Sequence, residues 1–129
     1  MKLNGNFQIT GWDEHTTQEN DNGSKQSTAV VAQTYTGDLK GNSTIHYVMS
    51  YQSPQSAVFV GYETIECTID NKAGTLVLQH QGKFDNGVAS SNSTVVENSG
   101  TDACLGITGN GNFTAPMGGI AEYEFILEY

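Results

Sequence analysis

Basic residues are scarce. Lys2, Lys25, Lys40, Lys72 and Lys83 are all there are, five in a chain of 129, and they stand singly. Each phosphate contact on a nucleic acid wants a Lys or Arg, so neutralising a phosphate backbone is out of reach. The same shortage removes a polybasic grip on anionic lipid. Against 14 acidic residues the formal net charge is −9, which favours solubility and steers anionic substrates away. Neither nucleic acid nor a membrane is an expected partner.

Cysteine is also rare. Cys67 and Cys104 are too few for a disulfide framework. With His15, His46 and His80 they show no ligand spacing such as C-x-x-C or H-x-x-x-H, so no metal is expected. Long apolar runs are missing. No window approaches the ~20 apolar residues of a spanning helix. Met1–Trp12 alternates polar and apolar residues where a signal peptide would carry an apolar run of about 7–15. A cytoplasmic location is the expectation. Without a secretory signal, the Asn-x-Ser/Thr patterns at Asn42, Asn92 and Asn112 carry no weight. Gly109-Asn-Gly111 lacks the strand-then-helix context of a nucleotide loop, and no cofactor is expected.

Helix signals are nearly absent too, since no stretch holds an apolar i, i+3, i+4, i+7 pattern for three turns. Strand signals take their place, punctuated by Gly and Asn. Eight strands are predicted: Leu3–Trp12, Ser27–Thr36, Asn42–Gln52, Ser56–Ile69, Thr75–Phe84, Val88–Glu97, Ile107–Thr114 and Ile120–Tyr129. Most links are short, including Gly37–Gly41, Ser53–Gln55, Asp70–Gly74 and the tight Asp85-Asn86-Gly87, where Asn-Gly suits a hairpin turn. Short links pair successive strands antiparallel, and closing eight of them removes exposed edges. The expected fold is a single all-β domain over residues 1–129, an eight-stranded antiparallel meander barrel. Two links are long: Asp13–Gln26 and Asn98–Gly106. Each is a lid candidate or a plain surface excursion.

Period-two alternation assigns faces. Tyr123, Phe125, Leu127 and Tyr129 form one row of the last strand. Ile45, Tyr47, Met49 and Tyr51 share a face, as do Leu76, Leu78, His80 and Phe84. His80 therefore points inward. If Cys67 faces Leu76, Glu63 lies opposite His80; if Asn86-Gly87 forms a two-residue turn, Phe84 pairs with Ala89 and His80 with Ser93. Side chains so paired can touch. Small Ala89, Ser91 and Ser93 leave room beside them, and a barrel of this size can hold one small ligand.

Glu63 and His80 are thus the candidate catalytic pair for proton transfer. The alternative is a hydrogen-bonded core pair without chemistry. Ser93 as a nucleophile is disfavoured: it lies mid-strand and no G-x-S-x-G elbow is present. Trp12 and Tyr35, Tyr47, Tyr51 and Tyr62 read as packing residues, the tyrosine hydroxyls being able to orient a ligand. Glu14 and Glu19 read as a solvated face.

Several segments resemble one bacterial family over essentially the whole chain: Trp12-Asp-Glu14, Thr34–Asp38, Tyr47–Tyr51, Phe59–Glu63, Leu78–Asp85 and Gly106–Phe113. The family is the domain of unknown function 3224. The resemblance implies an eight-stranded barrel similar to that of plant allene oxide cyclases and no assigned activity. No motif matches the cyclases' catalytic residues, and a shared fold does not establish a shared reaction. The family segments include Glu63 and His80.

Three functions remain from these observations. The first is a small-molecule binding barrel whose cavity is lined by Tyr47, Phe59, Leu78, Ser93 and Phe125 with a Glu63/His80 patch. The second is an isomerase- or cyclase-like enzyme using that patch. The third is a self-associating module, a homo-oligomer with a solidly packed interior.

Overall fold

A computed structural model describes residues 1–129 and contains nine strands and no helix. They are β1 (Lys2–Glu19), β2 (Lys25–Gly37), β3 (Leu39–Ser53), β4 (Ser56–Ile69), β5 (Lys72–Asp85), β6 (Val88–Val95), β7 (Thr101–Asp102), β8 (Thr108–Pro116) and β9 (Ala121–Glu128). Eight of them close into an antiparallel ring in the order β1-β2-β3-β4-β5-β6-β8-β9, and β9 returns to β1. The ring is the expected meander barrel. The two-residue β7 pairs with β5 at Gly74 and Thr75 from outside the count.

The expected link Asp13–Gln26 is largely strand. β1 continues to Glu19 and pairs with β2 down to Glu19↔Lys25, leaving a short turn around Asn20–Ser24. Its polar sequence hid this because most of the segment faces water on both sides, so alternation has nothing apolar to mark. β9 meets β1 only between Lys2 and Phe7. Beyond Phe7, β1 has a neighbour on one side alone, and register shifts at Ile9/Gly11 and Thr16/Gln18 interrupt that long edge. Bulges and charges such as Asp13 and Glu19 discourage edge-to-edge pairing.

Inward residues divide the barrel into two halves. One end is filled by Leu39, Ile65, Leu76, Leu78, Leu127 and their neighbours, all buried. The other long link belongs to this end: Cys104 and Ile107 are buried, and β7 sits beside the β4–β5 turn. Asn98–Gly106 is thus a plug, held by its own short strand. Cys67 and Cys104 are free thiols with Sγ atoms 3.6 Å apart. Burial, then the neighbouring Cys104, pushes the Cys67 thiol up to about 12.

Four inward glycines each lie opposite an aromatic residue on the next strand: Gly5 and Tyr123, Gly61 and Tyr47, Gly82 and Phe59, Gly111 and Phe125. The rings lie against the space that a Cβ would need. One built on Gly111 would stand 2.2 Å from Phe125 Cδ1, and one on Gly82 2.6 Å from Phe59 Cζ. Glycine lets each ring lie along the wall instead of across the barrel, and the ring covers the bare backbone in return.

Candidate functional site

Alternation turns Glu63 inward between exposed Tyr62 and Thr64, and His80 inward between exposed Gln79 and Gln81. The register differs from the expected one by two residues. Asp70 and Asn71 both have positive φ (51° and 64°) and make a tight turn, so Ile69 pairs with Lys72. Glu63 then stands opposite Leu78, and His80 opposite Gly61. Because two residues is one full side-chain period, both still face inward and meet diagonally across the bare Gly61.

His80 Nε2 lies 2.6 Å from Glu63 Oε1. The other carboxylate oxygen accepts from the Tyr35 hydroxyl at 2.5 Å, and Gln33 Oε1 lies 3.3 Å from that hydroxyl. On the far side His80 Nδ1 lies 3.0 Å from Ser91 Oγ. Ser91 in turn reaches the carbonyls of Gln81 and Asn92. Ser91 can donate to a carbonyl and accept from Nδ1–H, which leaves one proton held between Nε2 and Oε1. The chain Gln33–Tyr35–Glu63–His80–Ser91 therefore satisfies Tyr35, Glu63, His80 and Ser91. Burial, then the Glu63 charge, holds the Tyr35 and Tyr47 hydroxyls well above their usual range. Ser93 stands opposite His80, as the Asn86-Gly87 turn implies, but the hydrogen bond goes to Ser91.

The network is sealed. Glu63 is 0% and His80 3% exposed. The rings of Tyr47 and Phe113 stand edge-on to His80, centroids 6.0 and 5.8 Å away. On the other side of those two rings the barrel is open.

An open cavity of about 880 Å³ occupies that half. Its inner wall includes Phe7, Tyr47, Met49, Phe59, Phe84 and Phe113, with small Ala89 and Ala115 opposite. It leaves the barrel where β1 loses its second neighbour, between β1 and the β8–β9 turn. Exposed Ile9, Trp12, Met117 and Ile120 stand at this mouth. Of the residues singled out from sequence, Tyr47 and Phe59 line the cavity. Leu78, Ser93 and Phe125 are buried in the wall away from it, as are Glu63 and His80.

The profile of a family described as "Protein of unknown function (DUF3224)" matches residues 3–127. The chain belongs to this family. A solved structure of a DUF3224 protein of unknown function from Shewanella oneidensis MR-1 superposes with a TM-score of 0.79 at 21% identity, covering 100% of this chain and 97% of that one. At that identity the likeness is one of fold. No curated protein matches the chain.

In this DUF3224 barrel, sequence reasoning missed Gln33, Met49, Phe84, Phe113 and Ala115 as cavity residues. Alternation on β2 does place Gln33 on the inward row of Ala29, Val31 and Tyr35, which was the available signal. Trp12 is not core. It is half exposed at the mouth, donating its indole N–H to Glu14 Oε1 at 3.1 Å. Tyr62 is likewise exposed on the outer face.

Glu14 is more than a solvated carboxylate. Its Oε2 accepts from Ser27 Oγ at 2.6 Å and from the Tyr51 hydroxyl at 2.9 Å. Burial alone would raise its pKa, but the bonds from Ser27, Tyr51 and Trp12, with the Lys25 charge, outweigh it and hold the group below the ordinary 4.5. A lowered carboxylate pKa stabilises the fold fully above the unfolded value, and that stabilisation is lost as pH falls through the folded one. Trp12 emission is expected to titrate below pH 4.5, and Glu14→Gln to flatten that titration. An unchanged acid titration in the variant would show that Glu14 does not hold the mouth.

Proposed function

We propose that this protein is a binding barrel for a small apolar or amphipathic molecule, taken into the open half of the ring. The observation that carries the reading is the cavity itself: about 880 Å³, within the range of roughly 300–1,000 Å³ typical of ligand sites. Its aromatic inner wall and half-exposed apolar mouth support the same conclusion. An exposed cluster of large apolar side chains is costly in water unless something covers it. The open half also supports this reading over a solidly packed, self-associating module.

The Glu63–His80 pair is assigned here to the wall. It does not line the cavity, and two aromatic rings separate it from any occupant. Its role is to hold the rings of Tyr47 and Phe113 that form the cavity's inner boundary.

The test is uptake of Nile red, a neutral dye that brightens in apolar surroundings, combined with native mass spectrometry of the complex. A saturable one-to-one complex with bright emission is the expected result. Absence of both the enhancement and the mass shift would overturn the reading.

A further inference from the structure

We infer that the ligand is uncharged, and that a hydrogen-bonding head such as a hydroxyl or neutral carbonyl is held by Tyr47 and Gln33. This inference rests on the binding-barrel reading above. No Lys, Arg, His, Asp or Glu is among the 23 residues that line the cavity. A carboxylate or ammonium entering it would lose water and meet no counter-charge, which is strongly unfavourable. At the mouth the Glu14 carboxylate, bonded to the cavity-lining Tyr51, repels an anion. Lys25 is engaged over the Tyr51 ring, 4.6 Å from its centroid.

Two of the cavity's polar lining side chains are buried. Tyr47 is 6% exposed, and its hydroxyl has no hydrogen-bond partner in the protein, only burial and the Glu63 charge acting on it. It is not a sealed orphan, because the one fully buried side-chain polar atom without a partner is Ser43 Oγ. The hydroxyl therefore opens to the cavity. Gln33, 4% exposed, is held by Tyr35 at one end of its amide and by nothing at the other.

The contact with Tyr35 orients Gln33. The Tyr35 hydroxyl lies between Glu63 Oε2 at 2.5 Å and Gln33 Oε1 at 3.3 Å, so the carbonyl end of the amide is turned to the wall. Its N–H₂ end, without a protein partner, is then the one that faces the cavity. A neutral carbonyl or a hydroxyl oxygen can accept from both the Gln33 amide and Tyr47. Either leaves its apolar tail against Met49, Phe59 and Phe113. The wall network thereby determines which ligand chemistry the cavity accepts.

Decanol and decanoate share a tail and differ in the charge of the head. Displacement of Nile red by each, at neutral pH, separates the possibilities. Decanoate is expected to compete about a hundredfold more weakly than decanol. Tyr47→Phe removes a hydroxyl without a protein partner, so the fold is retained, and the dye's affinity is measured afresh in the variant as the reference for displacement. Decanol binding in that variant is expected to weaken about tenfold. Decanoate competing as well as decanol, or Tyr47→Phe leaving decanol unaffected, would overturn the neutral-head assignment. So would failure of decanol to displace bound Nile red, with the barrel reading intact. Failure of Nile red itself to bind would instead overturn the barrel reading.

Discussion

His80→Ala is expected to lose about 3–5 kcal/mol of folding stability, measured by urea unfolding, because it strands a buried carboxylate. Glu63 keeps the Tyr35 hydroxyl but loses the partner 2.6 Å from its other oxygen, and nothing else reaches that side. Domains of this kind carry only about 5–15 kcal/mol in total, so this variant sits near the edge of folding. The double variant Glu63→Leu/His80→Leu is expected to recover most of the loss. Replacing both members of a buried ion pair with apolar residues of similar volume is often neutral or stabilising.

The surroundings support that asymmetry. Without the pair, Tyr35 still has the Gln33 amide, and Ser91 still has the carbonyls of Gln81 and Asn92. No other polar group is left unpaired. A double variant as unstable as His80→Ala, or a His80→Ala variant within about 1 kcal/mol of the parent, would show that the pair is not the coupled unit described. Nile red uptake in the double variant then separates wall from chemistry. Retained uptake agrees with a pair that only shapes the cavity. Turnover of a ligand that vanished in His80→Ala while uptake survived would move the pair to catalysis.

Much of this was legible in the sequence because a strand's side-chain period is two. The expected pairing of Cys67 with Leu76 is two residues out: Cys67 faces Gly74. Glu63 and His80 survived the error, since a slip of two keeps every face, whereas a slip of one would have turned Glu63 to solvent. The cause was turn chemistry. Asn86-Gly87 was recognisable and its hairpin has the expected partners, Phe84↔Ala89 and His80↔Ser93. Asp70-Asn71 also adopts two positive φ values, but without a glycine it read as the start of a longer loop.

The cavity was less legible, for a different reason. An interior pattern looks the same whether the space it faces is filled or empty. Leu78 and Phe125 share their strand faces with cavity-side neighbours yet belong to the packed half. Which half is open depends on where β9 stops along β1, and that is a property of the ring closure. The polar Thr16–Glu19 segment hid the long β1 edge that borders the opening. The glycine–aromatic pairs hid equally well, because each glycine alone reads as a break in a strand.

Ala89→Phe is expected to weaken Nile red binding by about a hundredfold while leaving the melting temperature unchanged or raising it by a few degrees. Ala89 faces inward on β6, between Phe84 on β5 and Ala115 on β8, and all three line the cavity. The added ring enters space that is already open, so it does not force the strain of overpacking. It removes apolar surface from water instead, each fully buried side chain of this size contributing about 1.5–3 kcal/mol. A ligand and this ring cannot share the volume between Phe84 and Phe113. Substitutions in a packed core lower stability, and substitutions that fill a functional void raise it at the expense of binding. A fall in stability would mean that the half described as open is packed. Unaltered dye binding with a stable fold would place the dye on the outer lip at Asn6, Gln8 and Thr34, leaving the barrel interior without an occupant.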